Sequence, residues 1–169
     1  MTLDSVLHAI EPVLRTTALG AWVRHSQWAW PVLESLHFIG MSVLIGTIGL
    51  FDLRLLGFAR GVPYAALHRL IPLGIAGYTL NVLTGLCFLS GTPDQYLFNI
   101  AFRSKVTFMF VAGLNVLFFY TRVFRRLEAL AADAPPPLGA RVAGAVSLTM
   151  WIGVMAAGRL LTFFRPPYV

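Results

Sequence analysis

Four long apolar runs decide what this chain can become. They cover residues 31–50, 70–90, 105–121 and 142–164. Each is near the ~20 residues that carry a helix across a bilayer core ~30 Å thick. Backbone amides in lipid must find their partners within the chain, so such runs are expected to fold as helices. Charged residues are 12% of the chain, about half the ~25% usual in soluble domains. The expected fold is therefore an all-α membrane protein, a four-transmembrane-helix bundle over residues 28–169. Its 169 residues leave no room for a second domain.

Residues 1–27 read differently. Leu3, Val6, Leu7, Ile10 and Leu14 recur at helical spacing, with Asp4, His8, Glu11 and Arg15 between them. This predicts an amphipathic interfacial helix lying on the membrane. The stretch lacks the basic start and long apolar core of a cleaved signal peptide, so the first span is expected to act as its own insertion signal. Trp28 and Trp30 suit an interfacial belt, and Pro31 suits a first helical turn. The prolines of ADAPPPLGA mark a loop, and Arg165-Pro166-Pro167 ends the last span.

The net charge of +6 comes from arginines and one lysine, Lys105. No basic patch interleaved with aromatics points to nucleic acid. Basic loops against anionic lipid explain the charge better. Arg54, Arg60, Arg69, Arg122, Arg125, Arg126 and Arg141 fall in the loops after spans one and three. Arg15, Arg24, Arg103 and Arg165 lie on the other side. This bias predicts both termini outside, which is periplasmic if the membrane is a bacterial inner membrane. The lone Cys87 excludes an internal disulfide and reads as a small core residue.

The chemistry is expected among polar residues inside the runs. His37 lies six residues into span one, ~9 Å along a helix. Glu34 is one turn away on the same face. Lys105 opens span three, and Arg159 is five residues before the end of span four. Glu34, His37, Lys105 and Arg159 thus come from three helices to one depth. Ionisable groups cost ~2.5–3.5 kcal/mol each at a transmembrane helix centre. Snorkelling of Lys105 and Arg159, with Glu34 as structural glue, is the plainer alternative. An imidazole cannot snorkel far.

Met41 is four residues after His37, Met109 four after Lys105, and Met155 four before Arg159. A neutral imidazole with thioethers suits Cu(I), which prefers soft ligands. It equally suits haem iron, with Lys105 and Arg159 facing propionates. Methionine is also an ordinary gap-filler. His68 is expected as an interfacial residue beside Arg69, and His8 and His25 as surface residues. Asn81, Asn115, Thr84 and Tyr78 read as interhelical hydrogen-bonding groups, and Gly46, Gly49, Gly74, Gly77, Gly113 and Gly153 as close-packing positions. The chain has no phosphate loop, nucleophile elbow, HExxH or CxxC.

The runs ESLHFIGMSVLIGTIGLFDLRLLG, PLGIAGYTLNVLTGLCFLSGTPDQY and FRSKVTFMFVAGLNVLFFYTR resemble an uncharacterised family of small bacterial four-helix inner-membrane proteins. The likeness covers residues 28–122. More distantly the chain is similar to the haem-b-containing membrane protoporphyrinogen oxidase family and to CopD-type copper-resistance membrane proteins. His37 in SLHFIG matches the oxidase family's haem-ligating histidine, and Lys105 in FRSK its helix-opening lysine, with Phe102 in the aromatic place. FDLRLLG and GLNVLFFYTR depart from that family. The resemblance implies a haem site at His37.

The first functional expectation is a haem-b redox protein with His37 as axial ligand to iron. Glu34 or a backbone carbonyl would orient the ring, and Lys105 and Arg159 would meet propionates. It would carry electrons, with possible oxidoreductase activity, between quinone or porphyrin and a periplasmic redox partner. The alternative is a copper-handling protein using His37, Met41, Met109 and Met155, with the methionines turned inward. A third is a non-catalytic membrane anchor for another subunit.

Overall fold

The computed structural model describes residues 3–128, 130–131 and 134–164. Among them every regular element is helical. The chain runs α1 (Leu3–Arg15), α2 (Ala18–His25), α3 (Ala29–Leu56), α4 (Tyr64–His68), α5 (Ile71–Gly91), α6 (Pro93–Leu97), α7 (Ile100–Phe118), a π turn (Phe119–Val123), α8 (Phe124–Glu128) and α9 (Leu138–Leu160). Four stretches are long and apolar enough to cross a membrane: Ala29–Leu56, Tyr64–Gly91, Ile100–Leu127 and Leu138–Leu160.

The helix ends differ from the apolar runs for identifiable reasons. The first helix continues past Leu50 through Asp52 and Arg54, both buried. Arg54 is only 1% exposed because the following loop satisfies its fork. Nε donates to the Val62 carbonyl at 2.9 Å and Nη1 to the Tyr64 hydroxyl at 2.9 Å. The helix stops at Gly57, whose φ of 102° is a left-handed cap that glycine adopts without penalty.

Lys105 does not open the third span. It lies within α7, whose start is capped by Asn99 accepting from the Ala101 N–H at 2.9 Å. In ADAPPPLGA the final Leu138, Gly139 and Ala140 already belong to α9, with Pro137 as N-cap. Ala132 and Asp133 of that loop, and Arg165-Pro166-Pro167, lie outside the described residues.

The N-terminal segment is two helices. Thr17 separates them and accepts from the Gly20 N–H at 3.1 Å. Both are tied to the four-helix body. Arg24 donates to the carbonyls of Arg15 (2.6 Å) and Gly91 (3.2 Å), closing the ends of α1 and α5 together. Arg103 pairs with Asp4 at 2.8 Å, and the His8 and Phe98 rings lie 4.5 Å apart. The N-terminal helices therefore mark one end of the bundle, shared with the end of α5 and the start of α7.

The long helices are arranged in the order α5, α3, α9, α7. Glycines allow the closest approach between α3 and α5. A Cβ on Gly77 would meet the Gly40 carbonyl at 2.7 Å, and one on Gly40 would meet the Gly77 carbonyl at 2.9 Å. Gly144 likewise lets α9 reach α3, where a Cβ would lie 2.9 Å from the Asp52 carbonyl. Asn115 holds α7 to α9 by donating to the Ala143 carbonyl at 2.9 Å. Small interface residues and polar bonds are the usual means of packing apolar helices.

Candidate functional site

Among the described residues the arrangement leaves α5 and α7 without close mutual packing. Between them runs a crevice, floored by α3 and α9, that holds two cavities. The cavity toward the N-terminal helices has a volume of about 160 Å³, and the one toward the opposite end about 330 Å³. Leu44, Tyr78, Met109 and Trp151 line both. The rings of Tyr78 and Trp151 meet edge to face at 5.9 Å, forming a waist.

His37 lines the smaller cavity and is half-buried. Its Nδ1 lies 2.7 Å from the Thr84 hydroxyl. Thr84 donates its own proton to the Leu80 carbonyl at 2.8 Å, an ordinary helical back-bond. With that bond in place its oxygen is left to accept, which favours the neutral ring with its proton on Nδ1. Among the described residues Nε2 has no hydrogen-bond partner. Thr84 does not line the cavity, so the bonded edge of the ring points away from it and the Nε2 edge is left to it. Phe88 packs edge-on against the ring at 5.7 Å.

Five of the expected site residues converge here. His37, Lys105, Met41, Met109 and Met155 all line the smaller cavity. Glu34 and Arg159 do not line it, and both are exposed. Neither Glu34 nor Arg159 forms an ion pair among the described residues. Where Glu34 or a backbone carbonyl was expected to orient the imidazole, the ring's hydrogen-bond partner is the Thr84 hydroxyl, reaching across from α5. Glu34, three residues before His37, sits on a face of α3 turned from the crevice. Arg159 fails to converge because the helical phase carries Met155 inward and leaves Arg159 outward. Lys105 also forms no ion pair among the described residues, and its ammonium acts electrostatically on the His37 ring.

Asn81 lines the same cavity. Its amide donates to the Gly77 carbonyl at 2.9 Å, and its buried side-chain oxygen has no partner. Among the described residues no three His, Cys, Asp or Glu side chains gather as a metal cluster. The donors available to a metal in this cavity include one imidazole nitrogen, thioether sulfurs and the Asn81 side-chain oxygen.

The larger cavity holds a residue that sequence reasoning passed over. Asp52 is 3% exposed, and its Oδ2 has no hydrogen-bond partner. Ser147, also buried, lines the same cavity. Asp52 lies two residues beyond the apolar run that ends at Leu50. The signal lay in its spacing: fifteen residues after His37 is a little over four turns, which returns it to the same side of α3.

His68 also has a partner that its position did not announce. Its Nε2 is 3.0 Å from the Tyr120 hydroxyl, and Phe124 stacks on it at 4.6 Å. The π turn begins one residue before Tyr120. Such turns re-aim side chains and recur at functional sites. His25 is exposed, as expected.

No protein-family model, no curated protein and no solved structure matches this chain.

Proposed function

We propose that this chain is a multi-pass protein of a bacterial inner membrane that handles copper, binding Cu(I) through His37 Nε2 and the thioethers of Met41, Met109 and Met155. One observation carries this reading: the three methionines, from three helices, line the same small cavity as His37. Cu(I) favours soft sulfur ligands and accepts imidazole. Thr84 fixes the ring in the tautomer a metal requires, the usual task of a residue behind a metal-bound histidine. The unpaired Lys105 cation disfavours the extra charge of Cu(II), in the same direction as the thioethers. The test is copper content by elemental analysis of the detergent-purified protein. About one copper per chain is expected, with clear loss on His37→Ala or Met41→Leu.

Haem b is the second reading, supported by Lys105. An unpaired cation beside His37 suits a propionate. Two observations weigh against it. Arg159, the other propionate partner in that account, lies outside the cavity. The volume of about 160 Å³ is below the roughly 300–1,000 Å³ of small-molecule sites. A porphyrin would have to part α5 from α7. A Soret band in the purified protein would favour haem over copper.

The membrane assignment rests on the four apolar helices and on the arginine bias between the two sides. Together they favour periplasmic termini. In that orientation the His37 site lies in the periplasmic half of the membrane, and Asp52 in the cytoplasmic half. The N-terminal helices would lie at the periplasmic interface, with exposed Trp22, Trp28 and Trp30 in the headgroup region. A periplasmic redox partner or another membrane subunit would meet the protein there.

A further inference from the structure

The larger cavity asks for a ligand of its own. It lies along the α5–α7 crevice, toward the end away from the N-terminal helices. Asp52 stands fifteen residues beyond His37, ~22 Å along α3 at 1.5 Å per residue. At about 330 Å³ the cavity falls within the usual range for small-molecule sites. Its walls include the rings of Phe51, Phe119, Tyr78 and Trp151.

Part of the polar lining is committed within the protein: the Asn115 amide donates to the Ala143 carbonyl and the Tyr120 hydroxyl meets His68. Asp52 Oδ2 is buried and without a partner. A buried polar atom left unpaired is costly. A ligand that bonds it removes that cost.

We infer that this cavity binds the ring of a membrane-soluble quinone or quinol, with one ring oxygen bonded to Asp52. Four features support the assignment. The crevice opens sideways between α5 and α7, so in a membrane its visitors come from the lipid and are apolar. The aromatic walls favour a flat ring. A carboxylate accepts from a quinol hydroxyl, whereas a carboxylic acid donates to a quinone carbonyl, so one residue serves both forms. Finally, Asp52 Oδ2 is, among the described residues of the lining, the buried side-chain oxygen that lacks a partner, and a quinol hydroxyl brings the one donor it needs.

Gly113 supplies an independent handle. It lines the cavity from α7, and a Cβ there would meet no atom within 4 Å. A large side chain at that position fills the crevice without disturbing the packed faces.

The experiment is equilibrium binding of decylubiquinone and of decylubiquinol to the detergent-purified full chain, with decylamine as the comparison probe. Saturable binding of both ring forms is expected. Gly113→Phe and Asp52→Leu should each weaken it at least ten-fold. Asp52→Asn keeps a donor and an acceptor at that position and should stay within about three-fold. Each variant is checked for an unchanged helical spectrum and a monodisperse elution. His37→Ala should leave binding intact, which separates this site from the copper reading. Absence of saturable binding to the wild type overturns the inference. So does equal affinity in the wild type and a folded Gly113→Phe. Tighter binding of decylamine than of either ring form would overturn the quinone class.

Discussion

His37 and Thr84 stand 47 residues apart in sequence and meet at 2.7 Å between Nδ1 and Oγ1. That bond joins α3 to α5 and, with the Thr84 hydroxyl donating to the Leu80 carbonyl, favours the proton on Nδ1. Replacing Thr84 by valine keeps the shape and removes the acceptor. Partners of this kind typically control 10–100-fold in metal affinity. Thr84→Val should therefore weaken Cu(I) binding by about that factor in a competition assay against a Cu(I) chelator, with the fold retained. Unchanged affinity would mean that the bond serves packing alone.

Arg159 and Lys105 should behave differently, although both are cations near one end of the bundle. Lys105 lines the cavity with His37, whereas Arg159 is exposed and outside it. Arg159→Leu should leave copper affinity within about two-fold, as expected of a snorkelling side chain. Lys105→Leu should shift the copper potential toward Cu(II), because the neighbouring positive charge is lost. A larger effect from Arg159→Leu would restore the four-residue cluster that the sequence suggested.

The contrast between these residues marks how far the sequence could be read. Four apolar helices were legible because hydrophobic length is a strong signal. Convergence of His37, Lys105 and the three methionines was legible from helical spacing. Glu34 and Arg159 were misplaced because equal depth is not equal facing: at three or four residues' separation, a small rotation of the helix decides which side chain enters the crevice. The sequence places Arg54 in the loop after span one, because that span's apolar run ends at Leu50. Arg54 is instead satisfied by the Val62 carbonyl and the Tyr64 hydroxyl, and no local pattern announces partners across a loop. Thr84 was recognised as a bonding residue without its partner, since pairing between helices is set by packing.

Arg54 offers a stability test. Its bonds to the Val62 carbonyl and the Tyr64 hydroxyl use the rigid fork of a guanidinium, which lysine does not reproduce. Hydrogen bonds from a charged group are worth ~1.5–3 kcal/mol each. Arg54→Lys should lower thermal stability in detergent by about that amount, while exposed Arg69→Lys should leave it nearly unchanged. Equal melting of the two variants would show that the buried fork contributes little.

The glycines between α3 and α5 predict a second contrast. Gly77→Ala places a methyl 2.7 Å from the Gly40 carbonyl, and the helices must separate. Overpacking of this kind costs ~1–3 kcal/mol. Gly85→Ala meets open space and should be neutral or slightly stabilising in a helix. Thermal melts of the two variants in one detergent decide the matter. Equal melts would place the α3–α5 contact elsewhere.

Orientation is open to a direct assay. Alkaline phosphatase fused to the C-terminus should be active, because the basic loops favour periplasmic termini. An inactive phosphatase with an active cytoplasmic reporter at the same position would reverse the orientation and place the His37 cavity in the cytoplasmic half.

The most direct test of the central claim is X-ray absorption at the copper edge on the detergent-purified protein, loaded with one equivalent of Cu(I). The predicted result is a cuprous edge, with scattering from one nitrogen and from thioether sulfurs at ~2.3 Å, near the usual metal–sulfur distance. The sulfur shell should shrink on Met109→Leu, and the nitrogen should vanish on His37→Ala. Copper that washes away, or a protein that carries haem or no metal after growth with both supplied, would contradict the claim.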